Sequence, residues 1–394
     1  MQPRRKIGIA GAGVGGLAAA SLLARRGHDV TLFDRFDAPR PVGSGLVIQP
    51  VGQAVLAQAE ALRVANGYGN PVRRMAGHEA EAGRPVLDVF YDRAGSGRHG
   101  LAIHRAALFD ALLQATRAAG VPIHTGAKIT GARDGRLILA GDKPSDPFDL
   151  IVDATGAGSP LSPLRARALP YGAIWSTVDW PDNSPLPRDE LRQCYRRADR
   201  MVGVLPIGTL PGDPTPKAAL FWSLPAGGYD DWRARGLAAW QDEAIALWPE
   251  VAPFIGQITD PDQMVLARYS HGTLVRPVSD RLAHIGDAAH RASPQLGQGA
   301  NMALPDALAL TQALEHEPVD IALLHYARAR RWHVWAYQAM SAAFTPQYQS
   351  DSRVLPWLRD RVLFPASQIP PVPRVLTALV CGTMLPALGS LQRQ

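Results

Sequence analysis

Cysteine is scarce in this chain. Only Cys194 and Cys381 occur among its 394 residues, far apart and too few for a disulfide framework, so a reducing cytoplasm is the expected compartment. Lysine is scarcer than arginine by a wide margin: Lys6, Lys128, Lys143 and Lys217 are the whole set, and none stands in a setting that suggests an active site. The net charge of +6 therefore comes almost wholly from arginine. No basic run or stripe concentrates it, which argues against nucleic acid as a partner. Long apolar runs are missing as well. A membrane span needs about 18 residues, and the nearest approach, Val375 to Leu385, stops at Pro386. That stretch reads as a packed C-terminal helix, with peripheral membrane contact as the alternative. No internal repeat is present, no signal-like segment precedes the first strand, and no metal site is expected. Proline is abundant, at 34 residues, but scattered through turns, which means long loops and not disorder.

What is present begins at once. Lys6-Ile7-Gly8-Ile9-Ala10 reads as a short buried strand, and Gly11, Gly13 and Gly16 follow in the spacing G-x-G-x-x-G. The small, apolar run Leu17 to Leu23 continues as a helix ending near Arg25, Arg26 and Gly27. Val30 to Phe33 is a second strand, closed by Asp34 and Arg35. Strand, turn, helix, strand and acid together form the context that a dinucleotide fingerprint requires. Gly11 allows the tight turn, Gly13 lets backbone approach a pyrophosphate, and Gly16 lets helix pack on strand. The helix start offers unpaired N–H groups and a positive dipole end. Asp34 stands where a carboxylate can accept from ribose hydroxyls.

Further along, Gly43 to Pro50 is glycine-bounded and then apolar, a loop leading to a strand, with a helix from about Val51 to Leu62. Alternating polarity around Val86, Val89 and Tyr91 predicts a hairpin within 71–103. Arg105 to Ala119 has helical periodicity, and Val121 to His124, Arg136 to Ala140 and Asp149 to Ala154 read as strands. From Tyr171 to Arg281 aromatic residues concentrate around strand-like pieces (Met201 to Leu205, Ala218 to Leu224, Val265 to Tyr269) and a helix, Leu237 to Leu247. A return strand, Leu282 to Ile285, precedes one long helix from about Ala303 to Phe344. The fold class expected is α/β: a Rossmann-like nucleotide-binding domain, an inserted antiparallel β-rich substrate domain, and a helical C-terminal tail. The divisions expected are 1–170 (including part of the substrate sheet near 71–103), 171–281, 282–345 for the return, and 346–394 for the tail.

The most specific stretch follows the return strand: Gly286-Asp287-Ala288-Ala289-His290, then Pro294, then Gly297-Gln298-Gly299-Ala300-Asn301, then Asp306-Ala307. It resembles the flavin motif of class A flavoprotein monooxygenases, the group typified by para-hydroxybenzoate hydroxylase and the ubiquinone-biosynthesis hydroxylases. The resemblance runs over most of the chain. It takes in the first fingerprint, Arg105 in R-x-x-L-x-x-x-L, the Gly43 to Pro50 segment, and Tyr326 and Arg330 on the long helix. It implies FAD as cofactor, NAD(P)H as reductant, and a small aromatic or polyketide-like substrate. That substrate would be hydroxylated or epoxidised by molecular oxygen through a flavin C4a-hydroperoxide.

By the same resemblance, Asp287 would bond the ribityl chain and Arg105 would lie near the phosphate or ribityl region. Gly299, Ala300 and Asn301 would sit at the flavin N1–C2=O edge, where a helix start favours negative charge. Pro294 and Gly297 complete that set. Asn301 either touches flavin or only caps its helix, and His290 and Asp306 are structural in this reading. Pro305 fits a helix only within about the first turn and otherwise kinks it. No catalytic residue is singled out. Tyr195, Arg197, Trp222, Tyr269 and His271 are candidates for the substrate pocket, with sheet packing as the equal alternative.

No second G-x-G-x-x-G unit reads with a strand before it and a helix after it, so a nicotinamide cofactor is expected to have no domain of its own. One departure from the family stands out. Where relatives carry D-x-x-x-G-A-D-G-x-x-S-x-V-R, this chain has Asp149 to Ser162 with Thr155 at the central aspartate and Ser162 at the arginine. D-A-T-G also resembles the D-A-S/T-G stretch of flavin-dependent halogenases and geranylgeranyl reductases, though the halogenase W-x-W-x-I-P segment is missing. The change places direct reduction by NAD(P)H in question and leaves a separate reductase as the alternative source of electrons.

Overall fold

A computed structural model describes residues 4–37, 44–95, 97–389 and 391. Gly43 of the expected glycine-bounded loop lies outside them. The first sheet runs Val278–Ser279, Leu282–His284, Leu150–Asp153, Lys6–Ala10, Asp29–Phe33, Ile123–His124. All its pairs are parallel except the edge strand Val278–Ser279. Parallel strands need crossovers and two covered faces. The helices Val14–Arg25, Arg105–Ala118 and Gly299–Ala313 supply the cover, and their apolar sides form one core with Ile7, Ile9, Leu32 and Val152. Because the strands run the same way, their C-terminal ends collect Gly11, Asp34, Asp153 and Ile285 along one edge, where α/β sheets bind ligands.

The second sheet has eight strands, in the order His290–Arg291, Val265–Thr273, Arg167–Asp179, Asp213–Pro225, Arg200–Leu210, Glu190–Arg196, Arg74–Glu79, Pro85–Phe90. Only the pair Glu190–Arg196 with Arg74–Glu79 is parallel. Period-two alternation splits its side chains between two faces. Leu220, Trp222 and Leu224 join Trp180, Trp232, Trp240 and Trp248 in one core under the helices Tyr229–Arg235 and Leu237–Leu247. Ala219 and Phe221 face the other way, with Met75, Tyr195 and Leu205. The expected hairpin is Arg74–Glu79 with Pro85–Phe90. Its flanks, Asn70–Val72 and Gly100–His104, join Gly45–Ile48 in a separate three-stranded sheet.

Two expected helices are each broken in two. Pro50–Gln58 and Leu62–Tyr68 replace the single helix from Val51 to Leu62, because Glu60 adopts a positive φ of 59° that ends the first. Gly299–Ala313 and Val319–Tyr348 replace the long helix from Ala303 to Phe344. Pro318 sets that break: the residue before a proline is pushed out of the helical region, and Pro318 itself is extended, at ψ 156°. Pro305 lies inside the first of these helices, beyond its first turn, and forfeits one backbone hydrogen bond there. In the tail, Thr377, Leu379 and Val380 of the helix Val372–Val380 are buried. Among the described residues no helix is long and apolar enough to cross a membrane.

Candidate functional site

A cleft of about 1030 Å³ lies between the strand ends of the first sheet and one face of the second. Its nucleotide side is formed by Gly13 to Gly15, Arg105, Asp287, Pro294, Gly297, Gly299 and Ala300. Its far wall carries Trp175, Phe221 and Tyr269. A larger groove, about 1560 Å³, opens beside Arg4, Arg276 and Arg331 at the other edge of the first sheet. None of the expected site residues lines it, so size does not mark the site here.

The glycine turn divides its labour by space. Gly11 has φ 102°, and a Cβ there would stand 2.5 Å from the Ala154 carbonyl oxygen. A Cβ on Gly16 would stand 1.9 Å from the Gly11 oxygen, so the helix could not sit against the turn. A Cβ on Gly13 would meet nothing nearer than 4.0 Å; it would project into the cleft that Gly13 lines. The helix Val14–Arg25 has no side-chain cap and no acid in its first turn, which leaves its positive end available to an anion. Asp34 accepts from Ala12 N at 2.5 Å and from Phe36 N at 3.0 Å, which locks the second strand end onto the turn. Arg35 is exposed and lies over the Phe36 ring. Gly11, Gly16, Asp34, Arg35 and Asn301 do not line the cleft.

The return segment is rigid where it is buried and open where it faces the cleft. Asp306, fully buried, accepts from Gly286 N at 2.9 Å, His290 Nε2 at 2.6 Å and Arg330 Nε at 2.6 Å. Burial alone would raise its pKa; the positive charges of His290 and Arg330 outweigh that and hold it at about 2. Tyr326 donates to the His284 carbonyl at 2.8 Å. His290 and Asp306 are thus framework, and Asp287, between Gly286 and His290 in the chain, is exposed, its carboxylate without a protein partner among the described residues.

Gly297 adopts the left-handed conformation, φ 61°, which starts the helix Gly299–Ala313. A Cβ on Gly299 would meet nothing within 4 Å. Asn301 is committed elsewhere. Its Oδ1 accepts from Gln49 N at 2.7 Å, and its Nδ2 donates to Val47 O at 2.8 Å and Gly297 O at 2.7 Å, so its side chain pins the helix start to the strand Gly45–Ile48.

Three features escaped sequence reasoning. Gln49 and Gln349 line the cleft while almost wholly buried, each with one unpartnered polar atom: Gln49 Nε2 and Gln349 Oε1. Gln49 Oε1 accepts from Tyr91 OH at 2.8 Å, and a Cβ on Gly297 would lie 3.4 Å from Gln49 Nε2. The segment holding Gln49 was legible as a motif, but nothing in the local pattern marks Gln349. Lys217, set aside on sequence grounds, lines the cleft too, bound to Asp179 at 2.5 Å and Asp213 at 2.6 Å. Of the pocket candidates, Tyr269 lines the cleft, accepting from Trp175 Nε1 at 3.0 Å. Tyr195 and Trp222 are core, Arg197 is a positive-φ turn residue, and His271 faces Ser341 of the long helix at 3.1 Å.

Thr155 has a definite job. Its hydroxyl donates to Asp153 Oδ1 at 2.6 Å and its N–H to the same oxygen at 3.1 Å. Ser159 Oγ at 2.6 Å and His284 Nδ1 at 2.7 Å contact Asp153 Oδ2. Burial would raise the pKa of Asp153, but the bonds from His284, Ser159 and Thr155 prevail and lower it. Ser162, at the position of the family's arginine, donates to the Ala288 carbonyl at 2.5 Å and so braces the Asp287 loop.

The sites expected for a nucleotide cofactor therefore fit one. Two glycines keep Cβ atoms out of the cleft, a helix start faces it uncapped, Asp287 is free there, and the buried Gln49 amide is short of a partner. Comparison with known proteins agrees. Residues 40–299 match the FAD dependent oxidoreductase family model, and residues 9–40 match an NAD(P)-binding Rossmann-like domain. Kynurenine 3-monooxygenase of Xanthomonas campestris is 30% identical over 370 residues, 86% of this chain and 78% of its own. The FAD-dependent urate hydroxylase of Klebsiella pneumoniae is 27% identical, over 80% of this chain and 82% of its own. Among solved structures, a Klebsiella pneumoniae protein complexed with FAD and uric acid superposes with a TM-score of 0.81 at 21% identity, covering 99% of both chains.

Proposed function

This chain belongs to the FAD-dependent oxidoreductases, as a flavoprotein monooxygenase of class A, and from that premise we propose how its cleft binds FAD and what it oxidises. The observation that carries the reading is the continuity of one cleft from the Gly13 turn, past Asp287 and Gly297–Gly299, to the ring-lined wall of Trp175, Phe221 and Tyr269. Asp34 and Arg35 would serve the adenosine ribose, and Gly11, Gly13 and Gly16 with their helix would serve the pyrophosphate. Asp287 and Arg105 would hold the ribityl and phosphate region. Pro294, Gly297, Gly299 and Ala300 would frame the flavin ring edge, with Asn301 acting through the backbone it pins. Gln49 Nε2, beside Gly297, is a further donor for that edge.

When bound, FAD supplies the two-electron redox chemistry and the activation of dioxygen; the protein holds, orients and dries it. The reaction proposed is insertion of one oxygen atom into a small aromatic or polyketide-like substrate, as hydroxylation or epoxidation. Backbone amides at the Gly299 helix start favour negative charge on an adjacent ring. The Trp175–Tyr269 wall presents aromatic surface on the opposite side. NAD(P)H is the reductant proposed, with a separate reductase as its alternative, because Thr155 and Ser162 are both committed to internal bonds. The division into a nucleotide domain (1–170 and 282–345), a substrate domain (171–281) and a tail (346–394), and a cytoplasmic location, are parts of the same proposal.

Acid precipitation of the yellow protein tests the cofactor: FAD, not FMN, should appear in the supernatant. Turnover under isotopic dioxygen tests the reaction, with one labelled atom expected in the product. Unlabelled product would identify a different flavin oxidoreductase.

A further inference from the structure

We propose, resting on that reading, that Gln349 selects the substrate, and that the substrate is a neutral ring bearing an N–H or O–H donor and not an anion. Gln349 follows the helix Val319–Tyr348 and is held by its own N–H on the Thr345 carbonyl at 2.8 Å. Its Nε2 donates to the Gly172 carbonyl at 3.3 Å. A carbonyl oxygen only accepts, so this bond fixes which way the amide points. Oε1 is left as a buried acceptor without a partner among the described residues, on a residue that lines the cleft. Buried acceptors are satisfied in native proteins by protein, water or ligand. A ligand donor that replaces water at such a site gains a bond in a region where few competitors exist.

The free acceptor at Gln349, with the unpaired cations of the cleft held out in solvent, disfavours an anion. Cleft-lining cations are either neutralised or at the rim. Lys217 carries two aspartates, Asp179 and Asp213, and Arg105 and Arg268 are exposed. His104 uses Nδ1 as the acceptor that caps its helix. The remaining polar side chains near the ring wall, such as Gln193 and Ser176, are neutral. Burial of Tyr269 raises its hydroxyl to about 12, so it stays protonated. A carboxylate carried to Gln349 would set its oxygens against the lone pairs of Oε1 and lose its hydration there, while Arg105 and Arg268, which line the cleft without a carboxylate partner among the described residues, keep their charge in solvent. A flat ring, in contrast, finds Trp175 and Phe221 with centroids 4.5 Å apart.

The test uses FAD-loaded protein and three probes: 2-quinolone (neutral, ring N–H), quinoline (neutral, no donor) and quinoline-2-carboxylate (anionic). Perturbation of the flavin absorption spectrum reads binding. Expected is tenfold or greater preference for 2-quinolone over both others. Gln349→Leu should remove that preference and leave quinoline affinity within threefold. Gln349→Met, close in shape and lacking the carbonyl, should do the same, and decides the matter if the leucine variant loses FAD. Retention of the preference in Gln349→Met, tighter binding of the carboxylate, or no spectral response to any probe would overturn the proposal. The monooxygenase reading is tested separately, by reoxidation of the dithionite-reduced holoenzyme with dioxygen. Rapid reoxidation there with a failed probe series sinks the role of Gln349 alone.

Discussion

At the scale of single residues, the cleft and its frame use carboxylates in opposite ways. Asp287 is exposed and has no protein partner among the described residues, so its loss should cost the fold little and the cofactor much. Asp287→Ala is expected to weaken FAD binding by about ten- to a hundredfold, the loss of charge-assisted hydrogen bonds of about 1.5–3 kcal/mol, with the circular dichroism spectrum unchanged. Gly13→Val should be worse, since the added atoms enter the cleft. Flavin titration near the dissociation constant checks both. Asp306 is the converse. Asp306→Asn leaves Arg330 buried without its counter-charge, and about 3–5 kcal/mol of stability should go, read by urea unfolding. The sign with pH follows from its depressed pKa. The stabilisation is complete above the ordinary 3.8 and is lost as pH falls towards about 2. The wild-type protein should therefore lose stability across that window by this route, and the asparagine variant should not.

At the scale of elements, the second sheet shows how one run of aromatics serves two purposes. Trp222 and Phe221 are neighbours in sequence and face opposite sides. Trp240, 2% exposed, packs edge-on against both Trp222 and Trp232 at ring separations of 6.4 and 6.0 Å. Trp240→Ala should cost about 3–5 kcal/mol, as large core truncations do, while FAD affinity measured on the surviving folded protein stays as in the wild type. Trp175→Ala, on the cleft face, should lose far less stability and should weaken ring-ligand binding. Equal destabilisation by both, measured by denaturant melts, would contradict the division of faces. The helix Gly299–Ala313 is governed by the same logic: its start is placed by Asn301 and its middle by Asp306, so its N-terminal amides have a defined position beside the cleft.

At the scale of the molecule, the described residues hold one strand–turn–helix dinucleotide unit, at Lys6–Arg25, and no second, so any pyridine nucleotide must use surface that the FAD unit leaves over. The loop after Asp153 is where relatives supply an aspartate. Here Thr155, Ser159 and Ser162 turn inward, to Asp153 and to the Ala288 carbonyl, and Asp153 is fully buried. A neutral hydroxyl already donating cannot orient an arginine as a carboxylate does. Slow flavin reduction by NADPH and NADH is therefore expected when no substrate is present. Anaerobic stopped-flow mixing checks it; fast bleaching at micromolar nucleotide would show that the inward-turned loop is no obstacle.

How much of this was legible in the sequence depends on the range of the contacts involved. Gly11, Gly13 and Gly16, the two strands around them, and the Gly286 to Asn301 segment announce themselves because a backbone turn restricts residue type within a few positions. Helix periodicity likewise located Arg105–Ala118 and Leu237–Leu247 to within a residue. The breaks at Glu60 and Pro318 were missed because apolar spacing continues across them while the backbone does not. Only the tertiary structure decided which aromatics face the cleft, since alternation fixes two faces and not which of them is covered. The same holds for Asn301, whose partners Val47 and Gln49 lie some 250 residues away in the chain. It holds for Gln349 too, whose partner Gly172 is 177 residues distant. A hydrogen bond between distant segments leaves no local spacing to read. A buried amide with one free atom becomes visible only once the chain has closed around it.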